Sequence, residues 1–188
     1  MQDGSHDQAG LLVLVVGPSG AGKDTIMRAA AARLTADAAI VFPRRVVTRA
    51  SANAAEDCVL MTAPEFVAAA VTGKFLLNWT AHGLHYGIPE TVRDDLAAGC
   101  TVIINISRGV ILAAEALVAN TAVVHITAST DVLAQRIAAR GRETIEEIAE
   151  RLTREAPLPV CRSTVLEIRN DDTIDAAADR FRAFLAER

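Results

Sequence analysis

The segment with the most specific chemical pattern lies near the start of the chain and reads GPSGAGKDT. It fits G-x-x-x-x-G-K, in which backbone N–H groups surround a phosphate while the lysine reaches the β- and γ-phosphates of a nucleotide. Glycines let the backbone turn its N–H groups inward, and the N-terminus of a following helix adds partial positive charge. The pattern predicts ATP binding by Gly17, Pro18, Ser19, Gly20, Ala21, Gly22, Lys23, Asp24 and Thr25.

The position after the lysine departs from this pattern, because the Ser or Thr that usually ligates Mg²⁺ is Asp24 here, with Thr25 next. Either the Asp24 carboxylate holds Mg²⁺, or the Thr25 hydroxyl does so while Asp24 interacts favourably with the start of the helix. No apolar run ends in an obvious metal-binding aspartate. Both residues therefore stay candidates for the metal.

Two groups of arginines could bind further phosphate oxygens. Arg136, Arg140 and Arg142 surround a glycine between two predicted helices, and arginines so placed can stabilise a transferring phosphoryl group on a segment that closes and excludes water. Arg45 and Arg49 fall on one side of a short strand, where guanidinium groups could bind an acceptor phosphate. The alternatives are a solvated helix face paired with nearby glutamates, and an ordinary basic edge strand.

Apolar runs and capping signals place these residues on alternating strands and helices. Strands are predicted at Leu11–Val16, Val46–Thr48, Phe75–Trp79, Thr101–Ile106, Thr121–Thr127 and Val165–Arg169. Helices are predicted at Asp24–Leu34, from the capping box at Thr62 to Thr72, at Pro89–Ala98, Val110–Val118 and Asp131–Arg140, from Thr144, and at Ile174–Glu187. The turn-rich segment His82–Gly87 is predicted to be irregular. The alternation predicts an α/β fold with a mostly parallel central sheet flanked by helices.

Length and composition favour one enzyme-sized domain. The 188 residues are 51% hydrophobic with a net charge of -4, which excludes wholesale disorder and argues against a general nucleic-acid binder. Three scattered cysteines, the polar start and the absence of a long apolar segment predict a soluble, cytoplasmic protein that does not bind membranes. We expect a disordered extension over residues 1–10 and a single domain over 11–188. The state of assembly stays open, a homodimer included.

In this order, GPSGAGKD, the RVVTR segment, GLHYGIP and the Arg136–Arg142 segment resemble the guanylate kinase-like branch of the P-loop nucleoside monophosphate kinases. The similarity covers nearly the whole chain from Leu11 and is greater for the ribose 1,5-bisphosphate phosphokinases (PhnN type) of phosphonate breakdown. The resemblance implies a P-loop NTPase fold with an acceptor-binding segment at about 44–90 and a lid at about 136–150. It also implies transfer of the γ-phosphoryl group from ATP, with Mg²⁺, to the small molecule ribose 1,5-bisphosphate, giving the 1-diphosphate PRPP.

Differences from guanylate kinase favour the ribose acceptor. Where that family has a guanine-contacting Glu and a Thr that helps hold the nucleotide, this chain has Leu77 and Ile88, while Asn105 stands where the family strand tends to carry acids. A missing polar contact to a base can cost several powers of ten in discrimination. The 1-phosphate is already ionised, so the transfer needs no general base.

The resemblance also assigns residue roles. It implies that Lys23 and the three arginines at 136, 140 and 142 act on the transferring group, and that Arg45, Arg49 and Tyr86 bind the acceptor. Further candidates for the acceptor are His82, His85, Glu56 and Asp57, each of which could equally be a solvated loop residue. In relatives, the triplet Asn170-Asp171-Asp172 would pass close to adenine; otherwise it is a helix-start signal.

Three other functions stay open. The chain could be a guanylate or other nucleoside monophosphate kinase with altered base contacts, which a panel of acceptors would decide. It could be a guanylate kinase-like module that binds partners without turnover, although intact Gly22-Lys23 and the lid arginines speak against this. A sugar or shikimate-type kinase would phosphorylate a neutral hydroxyl and should offer a general base.

Overall fold

The computed structural model describes residues 10–34, 39–49, 57–139 and 157–188. The strands in these ranges are β1 (Leu11–Val16), β2 (Ile40–Val41), β3 (Arg45–Val47), β4 (Cys58–Leu60), β5 (Phe75–Ala81), β6 (Leu84–Pro89), β7 (Thr101–Asn105), β8 (Thr121–Thr127) and β9 (Thr164–Arg169). The helices are α1 (Lys23–Ala31), α2 (Ala63–Val71), α3 (Val92–Ala97), α4 (Ile111–Leu117), α5 (Thr130–Ala138) and α6 (Ile174–Ala186), and a 3₁₀ turn at Arg108–Val110 precedes α4.

A five-stranded sheet has the strand order β2-β7-β1-β8-β9, and it is mostly parallel with flanking helices, as predicted. Every residue of β1 is buried, which explains its unbroken apolar sequence: a strand covered on both faces has no polar side. β8 is likewise apolar and buried over most of its length. The predicted P-loop NTPase fold is confirmed.

A second sheet of four strands, in the order β4-β3-β6-β5, was not predicted. β5 and β6 form an antiparallel hairpin in which Ala81 lies opposite Leu84. The two residues between them, His82 and Gly83, have φ of 51° and 71°, as the favoured two-residue hairpin turn requires.

This hairpin corrects two predictions from the sequence. The segment His82–Gly87 is not irregular, because residues from Leu84 onward pair with β5 on one side and β3 on the other. A Cβ on Gly87 would lie 2.7 Å from the Phe75 ring, so glycine there serves close strand packing. The third helix starts at Val92 rather than at Pro89, since Pro89 ends β6.

The local signals at α2 are confirmed. The Thr62 backbone N–H donates to Glu65 Oε2 at 2.8 Å, and the Glu65 N–H donates to Thr62 Oγ1 at 3.4 Å, which is the predicted capping box. The helix ends before Gly73, whose φ is +70°. The second predicted capping box, at Thr144, lies outside the described residues.

The chain divides into two compact units. Described residues within Met1–Val13, Asp37–Ile104 and Leu112–Ala122 belong to the first unit, and those within Leu14–Ala36, Asn105–Ile111 and Val123–Arg188 belong to the second. The predicted phosphate loop and Arg136 lie in the second unit. The described residues of the predicted acceptor-binding segment lie in the first.

Candidate active site

The phosphate loop joins the end of β1 to the start of α1 and has the backbone that its glycines predict. Gly17 has φ of +146°, and a Cβ there would lie 1.9 Å from the carbonyl oxygen of Ile126, so only glycine fits. Gly22, immediately before α1, has φ of +88°. These left-handed conformations let the loop curl at the helix N-terminus, where N–H groups can bind an anion.

Lys23, the first residue of α1, lies against its own loop. Its Nζ donates to the carbonyl oxygens of Gly17 and Pro18, both at 2.8 Å. The ammonium is therefore held at the loop, where a phosphate would also meet the loop N–H groups. This is the location that electrostatic stabilisation of a nucleotide phosphate requires.

Asp24 is anchored by the side chain of Asn105, which ends β7. The Asn105 Nδ2 donates to Asp24 Oδ1 at 2.7 Å, and Asn105 is only 9% exposed. The contact fixes one carboxylate oxygen of the residue that follows Lys23. Thr25 is exposed on the first turn of the same helix.

The carboxylate of Asp24 fits a magnesium ion. Mg²⁺ at phosphate sites takes one or two protein oxygens and completes its shell with water and phosphate oxygens, so a single carboxylate beside the loop is sufficient. Within the described ranges, no group of three or more His, Cys, Asp or Glu residues could hold a metal by itself. A metal held by protein and nucleotide together suits this arrangement better than a closed protein site.

Helix α5 packs on the phosphate loop and carries Arg136. A Cβ on Gly20 would lie 3.2 Å from Ile137 Cγ1. The Nη1 atom of Arg136 is buried and has no hydrogen-bond partner among the described residues. An unpaired buried guanidinium nitrogen is costly, so an anion binding there would relieve the cost. Arg140 and Arg142, predicted to act with it, lie outside the described residues.

Asn170 and Asp171, which follow β9, contact the same region, and the sequence did not assign them this role. The Asn170 Nδ2 donates to the carbonyl oxygen of Ala21 at 2.8 Å, and the backbone N–H of Ser129 donates to Asp171 Oδ1 at 2.6 Å. The helix cap that the triplet could have supplied comes from Thr173 instead, whose hydroxyl accepts from the N–H of Ala176. The available signal was a polar triplet directly after a strand of a parallel sheet, where ligands commonly bind.

His125, on β8, adds a neutral polar group to the second unit. Burial lowers the pKa of its imidazole below the ordinary 6.5; nearby Glu167 opposes this, and the positive charges of Arg108 and Lys23 lower the pKa further. Its Nε2 is buried without a hydrogen-bond partner among the described residues. The imidazole is therefore expected to be uncharged at neutral pH.

The first unit contains a cavity of about 440 Å³ with predicted acceptor residues in its wall. Its lining includes Thr48, Arg49, Leu60, Met61, Thr62, Ala63, Glu65, Gly83 and His85. Thr62 carries an N–H and a hydroxyl that lower the pKa of the Glu65 carboxyl, so this acid is ionised. The cavity thus combines one arginine, one ionised glutamate, hydroxyls and an imidazole, which can hydrogen-bond a polar small molecule.

His85 is held in place from three directions. Its backbone N–H donates to Thr48 Oγ1 at 2.8 Å, its Nδ1 lies 2.9 Å from Thr80 Oγ1, and its ring stacks on Phe66 with centroids 5.4 Å apart. His82, by contrast, is exposed at the hairpin turn and is not in the cavity wall. The two histidines, which the sequence treated alike, therefore have different environments.

Arg45 and Tyr86 form a second group on neighbouring strands. The Arg45 guanidinium lies 5.5 Å from the centroid of the Tyr86 ring, and the Trp79 ring stacks on the same Tyr86 ring with centroids 5.4 Å apart. Asp57 forms an ion pair with Arg44, with Nε and Oδ1 2.6 Å apart, so its carboxylate is partly neutralised. Glu56 lies outside the described residues.

The two positions predicted to lack base-reading groups lie opposite each other. Leu77 on β5 pairs with Ile88 on β6, and the two residues are 6% and 1% exposed. Neither is part of the cavity wall. Two apolar side chains in direct cross-strand contact offer no donor or acceptor to a base.

The phosphate loop joins a buried strand to a helix, and its lysine lies against it. On a mostly parallel α/β sheet, this arrangement is the nucleotide site of P-loop proteins. The guanylate kinase family model matches residues 9–187, and the chain belongs to this family. The resemblance found in the sequence is confirmed.

Curated relatives are closely similar over most of the chain. Ribose 1,5-bisphosphate phosphokinase PhnN of Brucella melitensis is 46% identical over 178 residues, covering 95% of this chain and 93% of the relative. The protein of the same name from Bradyrhizobium diazoefficiens is 53% identical over 145 residues, covering 77% and 73%. A bifunctional ribose 1,5-bisphosphokinase-thymidine phosphorylase of Cupriavidus necator is 43% identical over 92% of this chain and 28% of the relative.

Solved structures share the fold at low sequence identity. A guanylate kinase from Anaplasma phagocytophilum has a TM-score of 0.72 at 19% identity, covering 96% of this chain and 87% of that one. A sugar kinase from Janibacter has a TM-score of 0.54 at 18% identity. Within the described part of the chain, no helix is long and apolar enough to cross a membrane.

Proposed function

We propose that this protein is an ATP-dependent ribose 1,5-bisphosphate phosphokinase that makes PRPP in phosphonate breakdown. The observation that carries the proposal is the phosphate loop with Lys23 held against it; the apolar residues Leu77 and Ile88, at the positions where the resemblance expects base contacts, agree with an acceptor that has no base. The relatives named for this reaction, at 46% and 53% identity, support the same acceptor.

In this proposal the second unit binds ATP. The loop N–H groups and Lys23 hold the phosphates, and Arg136 with Arg140 and Arg142 stabilises charge on the transferring group. Asp24, oriented by Asn105, would hold Mg²⁺, which neutralises phosphate charge when bound; Thr25 is the less favoured candidate because it lies one residue further along an exposed turn. We take residues 136–150 as the lid that carries these arginines.

The first unit would bind the acceptor through residues 44–90 of what we take to be one kinase domain. Arg49 and His85 line the cavity and could hold a ribose phosphate, with Arg45 and Tyr86 as further contacts and Glu56, Asp57 and His82 as weaker candidates. An oxygen of the 1-phosphate attacks the γ-phosphorus of ATP, the bond to the bridging oxygen breaks, and ADP leaves. Because that oxygen is already ionised, no side chain need accept a proton.

The location of the protein in the cell, its partners and its state of assembly are also proposals. We expect a cytoplasmic enzyme that acts on a small molecule without nucleic acid or membrane, and the scattered cysteines support a reducing compartment. A homodimer is compatible with these assignments.

The test is a ³¹P NMR assay with ATP, Mg²⁺ and either ribose 1,5-bisphosphate or GMP, with Lys23→Ala as the matched inactive control. We expect new diphosphate resonances from the ribose compound and none from GMP. Formation of GDP instead would make the protein a guanylate kinase that tolerates Leu77 and Ile88. Absence of transfer to either acceptor, with ATP bound, would favour a binding module.

A further inference from the structure

Two adjacent side chains after β9 contact two different parts of the ATP site. Asn170 is 1% exposed, and its Nδ2 donates to the carbonyl oxygen of Ala21 in the middle of the phosphate loop, at 2.8 Å. A Cβ on Gly22 would lie 2.6 Å from the same Nδ2 atom. The amide therefore fits against the loop so closely that it determines where the loop backbone can lie.

Asp171 contacts the start of the helix that carries Arg136. Its Oδ1 accepts a hydrogen bond from the backbone N–H of Ser129, at 2.6 Å, and Ser129 is the residue that caps α5. Its other oxygen, Oδ2, pairs with Arg169. The Ser129 N–H and Arg169 lower the pKa of the carboxyl, so it remains ionised and keeps both contacts.

The backbone that carries these side chains is itself fixed. The N–H of Asn170 donates to the carbonyl oxygen of Thr127 at the end of β8, at 2.8 Å. A side chain attached to a strand end that is bonded to its neighbour can position a contact more precisely than one on a loose loop.

A purely structural role explains Asn170 poorly. Its Oδ1 is buried and has no hydrogen-bond partner among the described residues. A buried acceptor left unpaired lowers stability, and an apolar side chain of similar size would avoid that loss. The amide is better explained by what its Nδ2 does to the phosphate loop than by its contribution to the core.

We infer that Asn170 and Asp171 are positioning residues for phosphoryl transfer: Asn170 sets the phosphate loop that carries Lys23, and Asp171 sets the start of the helix that carries Arg136. The inference rests on the proposed kinase reaction only for its turnover measurement. Because ATP binding is measured without any acceptor, an error about the ribose acceptor leaves that part of the test intact.

The first test exchanges the amide at position 170 and the carboxylate at position 172. Asn170→Asp removes the Nδ2 donor at nearly constant shape, and adding Asp172→Asn restores the net charge. The control is Asp172→Asn alone, because the Asp172 side chain is exposed. Isothermal titration calorimetry with ATP and Mg²⁺ gives the dissociation constant and the stoichiometry separately. We expect the dissociation constant of the exchanged variant to exceed that of Asp172→Asn alone by about 10- to 100-fold, from loss of one buried hydrogen bond.

A structural role gives a different result, because partial unfolding lowers the stoichiometry while the folded fraction binds ATP normally. An unchanged dissociation constant in the exchanged variant therefore overturns the role of Asn170, at full or at reduced stoichiometry. If that variant yields no folded protein, Asn170 serves folding and its positioning role is overturned; the role of Asp171 is decided by a second comparison.

The second comparison uses Ser129, whose φ of -61° is one that proline adopts. Ser129→Pro removes both the hydroxyl and the N–H that Asp171 accepts, while Ser129→Ala keeps the N–H, so their difference isolates one hydrogen bond. We expect the proline variant to lose about 10-fold in kcat relative to the alanine variant, with the dissociation constant for ATP unchanged. Turnover is followed with the ribose acceptor, or as slow ATP hydrolysis if the wild type does not phosphorylate it. Equal kcat values in the two variants overturn the role of Asp171.

Discussion

The contact between Asn105 and Asp24 allows a direct test of the metal site. Asn105→Asp replaces the amide that donates to Asp24 Oδ1, at 2.7 Å, by a second carboxylate. The variant loses a hydrogen bond to a charged group, worth about 1.5–3 kcal/mol. It also brings together two negative charges, which at this distance and an effective dielectric constant of about 20 repel by about 6 kcal/mol.

The full repulsion will not be reached, because the new side chain can rotate or the pair can share a proton. We therefore expect a loss of about 3–5 kcal/mol of folding free energy without metal, of which Asn105→Leu should show only the hydrogen-bond part. Two facing carboxylates form a better Mg²⁺ site than one, and binding to the folded state alone returns about 2.7 kcal/mol when Mg²⁺ is present at about 100 times its dissociation constant.

The assay is urea unfolding of wild type, Asn105→Asp and Asn105→Leu, each with and without Mg²⁺. We expect Mg²⁺ to stabilise Asn105→Asp far more than the other two proteins. Equal metal dependence in all three would refute the reasoning, since it would mean that carboxylates at positions 24 and 105 do not bind Mg²⁺ together. Equal stability of Asn105→Asp and Asn105→Leu without metal would show that the two carboxylates can separate freely.

Three further changes test other parts of the site. Lys23→Ala should reduce kcat by orders of magnitude, because the loop loses its cation, while circular dichroism shows an intact fold; near-normal turnover would refute the phosphate-loop assignment. Leu77→Glu places a carboxylate opposite buried Ile88 and should cost about 3 kcal/mol or more in urea unfolding, whereas Leu77→Met should cost less than about 1.5 kcal/mol; equal losses would mean that position 77 reaches solvent. The pKa of His125 is lower in the folded protein than the ordinary 6.5 of the unfolded chain, so as pH falls below 6.5 the unfolded chain binds a proton first. The folded protein therefore loses stability as pH falls from 6.5 to the lower folded pKa. His125→Asn should remove that part of the loss in unfolding curves measured against pH, and an unchanged pH profile would contradict it.

What the sequence predicts best is structure fixed by neighbouring residues. The strand Leu11–Val16 and the capping box at Thr62 both occur as predicted, because a run of six apolar residues or a Thr–Glu pair needs no distant partner to be recognised. The glycines of the phosphate loop belong to the same class. Their spacing predicts a loop that turns its N–H groups inward, and Gly17 and Gly22 have the positive φ that glycine tolerates.

The second sheet was missed because its pairing is not local. Gly87 and Pro89 indicate a turn when considered alone, yet they lie in a strand that pairs with two others. The reason for glycine at 87 is the ring of Phe75 on the partner strand, and nothing near Gly87 in the sequence shows that contact. The position of Asn170 against Ala21 was missed for the same reason, since the two residues are 149 positions apart.

The distribution of charge explains how a protein with a net charge of -4 could bind two polyanions. Two arginines remote from the phosphate loop have acidic partners: Arg33 pairs with Asp175, and Arg93 pairs with Glu90. Arg136 differs, since its buried Nη1 has no hydrogen-bond partner among the described residues. Salt screens the net charge beyond about 8–10 Å, so binding depends on the cations next to the phosphate. In the proposed reaction, a local cation such as Arg136 beside the loop, rather than an overall positive charge, would bind the transferring phosphate.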